Sequence, residues 1–189
     1  MNDSTPAPRP PGYPADLERS WQAADGTRVL LRPLRPDDLD RELAFIAGLS
    51  GETLYQRLHY SASGVSREDA ARLLDLDYVE RCAIGALVGT PPEDRIVGVS
   101  RYAGEPGGDT AECAIVVTDA WHGRGLGTEL MRTLGLAARR HGIRWLVGSS
   151  LADNQRIHDW ARRFGFSVRT TPNSGGQVQI ILDLASFPS

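Results

Sequence analysis

The chain has 189 residues, 41% of them hydrophobic, with 24 acidic against 21 basic side chains and a formal net charge of -3. That length buries a core without disulfides, and the charge argues against a dedicated nucleic-acid binder, though a local basic patch stays open. The two cysteines, Cys82 and Cys113, lie in apolar strand-like runs and read as buried free thiols, which fits a reducing cytoplasm. The N-terminus carries no apolar signal-peptide core and no apolar run is long enough to span a bilayer, so the expectation is a cytoplasmic protein without a membrane partner.

The opening "MNDSTPAPRPPGYPADLE" is rich in proline and small polar residues and reads as a mobile tail or an arm laid on the surface. "SWQAADGTRVLLRPL" has the form of a hairpin turning at Asp25-Gly26. "RPDDLDRELAFIAGLS" reads as a helix opened by Pro36 and two aspartates, with Leu39, Leu43 and Ile46 at helical spacing. A second helix is expected in "SGETLYQRLHY", where Leu54 to Tyr60 could line an acceptor or simply pack. A third follows in "SREDAARLLDLD", capped by Ser66 with Ala70, Leu73 and Leu74 inward. Strands come next in "RCAIGALVG", "DRIVGVSRYAG" and "TAECAIVVT", separated by the turns "TPPED" and "GEPGGD". A glycine loop then leads into a long helix with Leu126, Leu130, Leu134 and Ala138 on one face. "IRWLVGSS" is a strand, "DNQRIHDWARRFG" a helix ended by Gly165, and "FSVRT" and "QVQIILDLA" a final strand pair. The order gives an α/β (α+β) domain with a mixed sheet and a βαβ crossover in its middle.

The glycine loop carries the first chemical signal. Gly123, Gly125 and Gly127 sit where a strand hands over to a helix. Unpaired N–H groups at a helix start hold anions, and glycines let them converge on one phosphate. Arg124 and the Thr128 hydroxyl could add contacts. A Walker loop is excluded because no lysine precedes Thr128, and a dinucleotide fold is disfavoured by the loop's late position and G-x-G-x-G spacing. A glycine-rich turn with no ligand remains open on this evidence.

"HGRGLG", His122 to Gly127, resembles the acyl-CoA pyrophosphate loop of the GNAT acetyltransferase superfamily, and "NQRIHDWARRFGF", Asn154 to Phe166, resembles its second signature. "DGTRVLLRPLRPDDLDRELAFIAGLSGETLYQR" and "AECAIVVTDAWHGRGLG" are similar to the acetyltransferase domain of bacterial Pat-type protein lysine acetyltransferases. The resemblance covers roughly Thr27 to Leu184 and implies a single GNAT domain over 21–189 behind a flexible tail over 1–20. It implies acetyl-CoA as the acyl donor in a cleft between two splayed parallel strands, "AECAIVVT" and "IRWLVGSS". Main-chain groups of Ile115, Val116 and Val117 would pair with the pantetheine arm. The pyrophosphate would lie on Gly123, Arg124, Gly125, Leu126, Gly127 and Thr128. Asn154 would touch the pantetheine or the acetyl end. His122 stands where the family has Gln or Arg, and its ring can still donate a hydrogen bond. Many relatives carry a tyrosine that protonates the departing thiolate; here that position is Ala161, as is common in the Pat-type branch.

Acetyl transfer to lysine needs a base, because the amine is an ammonium at neutral pH. Glu112, alone among apolar neighbours in its strand, is the candidate, and the resemblance puts the branch's catalytic glutamate there. Beside an apolar cleft it would be desolvated, which suits a base. Alternation places Glu112, Ala114 and Val116 on one face and Cys113, Ile115 and Val117 on the other. A solvated glutamate at a strand start is the plainer alternative. Cys113 lacks an obvious His partner for nucleophilic work, and His158 reads as an ordinary helix residue. The pairs Arg139-Arg140 and Arg162-Arg163 read as solvated helix faces or as contacts to the CoA 3′-phosphate. No His/Cys cluster has metal-ligand spacing, so no metal is expected. The expected partners are acetyl-CoA and a protein with an acceptor lysine, and a homodimer stays open. The alternatives are acetylation of a small amine, or an acyl-CoA-binding sensor without turnover.

Overall fold

The computed structural model describes residues 8–51, 65–170 and 176–187. The helix expected in "SGETLYQRLHY" lies, but for its first residues, outside them. The hairpin forms as β1 (Arg19–Gln22) and β2 (Arg28–Pro33). Its turn is closed by Asp25, whose carboxylate accepts the Thr27 N–H at 3.0 Å. A 3-10 turn, Pro36–Asp38, leads into α1 (Leu39–Ala47), and α2 (Arg67–Leu73) follows, its Ser66 hydroxyl accepting the Asp69 N–H at 3.0 Å. Then come β3 (Arg81–Val88), β4 (Arg95–Gly104), β5 (Thr110–Val117), α3 (Leu126–Arg140), β6 (Trp145–Leu151), α4 (Gln155–Phe164), β7 (Ser167–Thr170) and β8 (Gln177–Asp183).

These strands make one eight-stranded sheet in the order β1-β2-β3-β4-β5-β6-β8-β7. Every pairing is antiparallel except β5 with β6. That parallel pair follows from the α3 crossover, which returns the chain in the same direction. β8 threads between β6 and β7, so the final strand pair is anchored to the sheet through β8.

Two apolar layers flank the sheet. On one face α3 buries Leu126, Leu130, Leu134 and Ala138 beside Ile115, Val117 and Trp160. On the other, α1 packs Phe45 and Ile46 against Val99 and Val116. The inward stripe of α1 is turned from the expected one: Glu42, Phe45 and Ile46 are buried, while Leu39 and Leu43 are only partly covered. A carboxylate therefore lies in the apolar layer. Of the two readings of the opening segment, a mobile tail or an arm laid on the surface, its described part has the form of the arm: Leu17 is buried, the Tyr13 hydroxyl donates to Glu18 at 2.7 Å, and Asp16 pairs with Arg140. β1 begins inside that segment, at Arg19.

Candidate active site

The parallel pair β5–β6 is short. Thr110 lies opposite Trp145, Ala111 opposite Leu146 and Glu112 opposite Val147, and beyond these residues the strands part. A cleft of about 450 Å³ opens in the gap. One wall is Cys113 to Val117 of β5; the other is Gly148 to Ser150 of β6, with Asn154, Trp160 and Phe166 beyond. The glycine loop closes its outer end. Gly148 sits where the walls begin to diverge, and a Cβ there would stand 3.2 Å from the Cys113 carbonyl and 3.1 Å from Ile180.

The loop geometry answers why glycines are needed. Gly123 and Gly125 have φ of +74° and +86°, a conformation costly for other L residues. Gly125 is the residue before α3, and the backbone N–H groups of Gly123 to Gly127 donate to no main-chain carbonyl among the described residues. They are donors without acceptors at the positive end of a fifteen-residue helix, a set that suits a doubly charged phosphate.

Backbone phase along β5 is fixed by two bonds. The Thr118 N–H donates to Val97 of β4 at 3.0 Å, while the Val117 carbonyl accepts from His122 Nε2 at 2.8 Å. By alternation, Ile115 and Val117 present main-chain groups to the cleft, and those of Val116 are turned to its partner Val99. Val116 thus contributes its side chain to the cleft wall, and the expected main-chain contact passes to its two neighbours.

Other expected contacts are also redirected. The Arg124 guanidinium does not line the cleft; it pairs with Asp25 of the β1–β2 turn and lies 5.1 Å above the Trp121 ring. His122 spends its ring donor on Val117, tying the loop to the strand end. Thr128 accepts from Trp160 Nε1 at 3.2 Å, which leaves its own O–H to donate. Asn154 lines the cleft and caps α4, its side-chain oxygen accepting the Ile157 N–H at 3.2 Å.

Two cations at the cleft mouth complete the charge pattern. Arg156 and Arg163 both line it, and both are exposed. Arg163 comes from a pair expected to serve either solvent or a phosphate; Arg156 was not anticipated. The signal was present, because Arg156, Trp160 and Arg163 share one helix face at i, i+4, i+7 spacing. Arg139 and Arg140 are engaged elsewhere, with the Phe187 carbonyl and Asp16.

Glu112 is the last residue of β5 paired with β6, one residue before the cleft wall begins. It is exposed on the face opposite to α3, so the described residues do not provide the expected desolvation. Ala114, Val116 and Ser149 share its face and line the cleft, while Glu112 itself is not among the lining residues. Cys113 lines the cleft and is 7% exposed. His158 is buried, with Nε2 unpartnered, and is not among the lining residues. Ala161 is fully buried, so that position presents no acid to the cleft. Among the described residues no cluster could hold a metal ion, and no helix is long and apolar enough to cross a membrane.

Comparison with known proteins agrees with this architecture. The model of the Acetyltransferase (GNAT) family matches residues 51–166. The chain is 38% identical to Acetyltransferase PA5475 of Pseudomonas aeruginosa over 154 residues, covering 82% of this chain and 83% of that one. It is 30% identical to Acetyltransferase Pat of Mycolicibacterium smegmatis over 148 residues, 76% of this chain but 43% of that longer protein. Among solved structures, the GNAT domain of S. lividans PAT superposes with a TM-score of 0.82 at 27% identity, covering 90% of this chain and 99% of that domain. The fold also matches yncA of Salmonella typhimurium, solved with its cofactor acetyl-CoA, with a TM-score of 0.66 at 17% identity over 85% of this chain and 96% of that one.

Proposed function

Since the chain belongs to the GNAT acetyltransferase family, we propose that it transfers acetyl from acetyl-CoA to a lysine amine of a protein, directly, with Glu112 as general base. The observation that carries this is the cleft between the diverging strands β5 and β6, whose wall begins one residue after Glu112. At its outer end the N–H groups of Gly123, Gly125, Leu126 and Gly127 have no main-chain acceptor among the described residues, and Ala114 and Val116 of its wall share the face of Glu112. The Pat-type resemblance, strengthened by the likeness to S. lividans PAT, favours a protein lysine over a small amine. A cytoplasmic setting, where buried Cys82 and Cys113 stay reduced, fits this role.

Each residue then has a defined task. Gly123 to Gly127 hold the pyrophosphate, with Arg156 and Arg163 beside the phosphates. Ile115 and Val117 pair with the pantetheine amides as an added strand would. Glu112 takes a proton from the incoming ammonium. The neutral nitrogen attacks the thioester carbonyl, the C–N bond forms and the C–S bond breaks; the nitrogen gives its second proton to water, and water returns a proton to the departing thiolate. An N–H of Ile115 or Val117 stabilises the carbonyl oxygen as it gains charge.

Intact-mass analysis of candidate proteins after incubation with enzyme and acetyl-CoA tests the acceptor. A gain of one acetyl group on a defined lysine supports the proposal; acetylation of free amines alone transfers it to small molecules. Glu112→Gln should lower kcat about 100-fold or more while acetyl-CoA affinity holds within twofold. Tight binding of acetyl-CoA without CoA release to any amine would replace the enzyme by a sensor.

A further inference from the structure

The buried carboxylate of α1 is not accounted for by catalysis or by packing. Glu42 is 1% exposed, one of its oxygens accepts from Arg101 Nη2, and the other, Oε2, is buried with no hydrogen-bond partner. Arg101 comes from β4, and its Nη1 donates to the Leu73 carbonyl at the end of α2, at 3.1 Å. A half-satisfied buried ion pair is a poor source of stability, since well-packed apolar side chains of similar volume do as well or better. Its position suggests a different use.

Arg101 lies opposite Ala114, and Ala103 lies opposite Glu112. Arg101 and Glu112 are therefore diagonal neighbours on one face of adjacent antiparallel strands, within reach of a long side chain. Yet Glu112 makes no ion pair with any described residue, because the guanidinium is drawn to α1 and α2 instead. Among the described residues, the other cation in this cross-strand row is Arg81 of β3, opposite Ala103, and it is engaged by Asp75 at 3.0 Å and Asp77 at 3.4 Å. Val147 and Ser149 of β6 are uncharged, Asp183 of β8 is occupied by Arg144 at 3.5 Å, and α3 lies on the far side. Asp109, the residue before β5, alternates onto the other face.

We propose that Glu42 is a positioning residue that holds Arg101 away from Glu112, so that the carboxylate stays unpaired and able to take the acceptor's proton. This rests on Glu112 being the base. Without the negative charge at Glu42, Arg101 swings to Glu112, an opposite charge beside the carboxylate favours its ionised form, and the base weakens.

The test compares Glu42→Gln, Glu42→Met/Arg101→Met and Glu112→Gln in the full chain. The acceptor is a lysine peptide taken from a protein that wild type acetylates, and free CoA is followed with a thiol reagent. In Glu42→Gln, kcat should fall about tenfold and the acidic limb of the pH–rate profile should move down by about one pH unit. Acetyl-CoA affinity, set on the other face, should stay within twofold. The double variant removes both the hold and the cation without burying a lone charge. It should return the acidic limb to its wild-type position with kcat within threefold. An unmoved limb in Glu42→Gln, or a double variant as impaired as the single one, overturns the holding role. If Glu42→Gln does not fold, the double variant decides alone: a displaced limb or a tenfold loss overturns the role. Full turnover in Glu112→Gln would instead remove the base itself, and the two failures are thereby told apart.

Discussion

The glycine loop offers a sharp test because its glycines differ in kind. Gly125 has φ +86°, and the nearest atom to an added Cβ is Trp21 Cζ2 at 3.7 Å, an ordinary contact. Gly125→Ala therefore meets no clash, and its cost is the left-handed backbone alone, about 1–2 kcal/mol. Gly127 lies inside the first turn of α3 with an ordinary helical φ, and its added Cβ would rest 3.5 Å from Ile115 Cδ1 and 3.9 Å from Trp160 Nε1. Gly127→Ala removes a glycine from a helix, a gain of roughly 0.5–1 kcal/mol. For a domain of this size these translate to a fall of about 2–8 °C in Tm for Gly125→Ala and a rise of about 1–4 °C for Gly127→Ala. If the unpaired N–H groups form the phosphate cradle, Gly125→Ala should also weaken acetyl-CoA binding about tenfold, some 1.4 kcal/mol. Thermal unfolding and titration calorimetry read both quantities. Equal loss of stability in the two variants would refute the assignment of backbone strain to Gly125. Unchanged acetyl-CoA affinity in Gly125→Ala would refute the cradle.

Further outcomes follow from charge and burial. Arg156→Ala/Arg163→Ala should weaken acetyl-CoA binding severalfold at low salt and progressively less as salt screens these exposed cations; calorimetry across a salt series reads this. Asp38 lies fully buried and binds Arg32 through two bonds, at 2.7 and 2.6 Å. Asp38→Ala strands a buried guanidinium and should cost about 3–5 kcal/mol, a fall of about 6–20 °C in Tm. Burial, reinforced by the Asp77 charge, pushes the Cys82 thiol up to about 12. Iodoacetamide at pH 8 should leave Cys82 unlabelled in the folded protein and label it in urea; native labelling would contradict its burial.

What could be read from the sequence, and what could not, divides by the range of the interactions. Ser66 before α2, Gly165 after α4 and Asp25-Gly26 in the hairpin act on backbone groups a few residues away, so their spacing in the chain predicts their place. The same holds for the loop from His122 to Thr128. The neighbours of Arg124 in the chain point it to the ligand, but its partner, Asp25, lies 99 residues earlier in the chain. The resemblance implies a main-chain contact for Val116, and strand periodicity cannot correct it, because it gives the faces of side chains but not which edge receives each N–H. That required the β4–β5 register, Val99 against Val116. On α1, Leu39, Leu43 and Ile46 satisfied helical spacing, yet the buried stripe runs through Glu42. A hydrophobic pattern cannot report a carboxylate that is buried because an arginine from another element meets it.

β5 shows how one strand can serve two substrates. Its side chains alternate, so Cys113, Ile115 and Val117 belong to the layer with α3 and α4, and Glu112, Ala114 and Val116 to the layer with α1. Its main-chain groups lie in the plane of the sheet and belong to neither layer. A donor bound along the free edge of β5 is therefore held by groups that no side-chain substitution removes, while the base projects from one face only. The constraint is at the point of divergence. Had the β5–β6 ladder continued past Glu112 and Val147, the edge groups of Ile115 and Val117 would be spent on β6. Gly148 works in the opposite sense, keeping the two strands close at the apex, where a Cβ would press on the Cys113 carbonyl. The narrow apex thus stands next to the residue proposed to take the proton, and the open mouth faces the glycine loop.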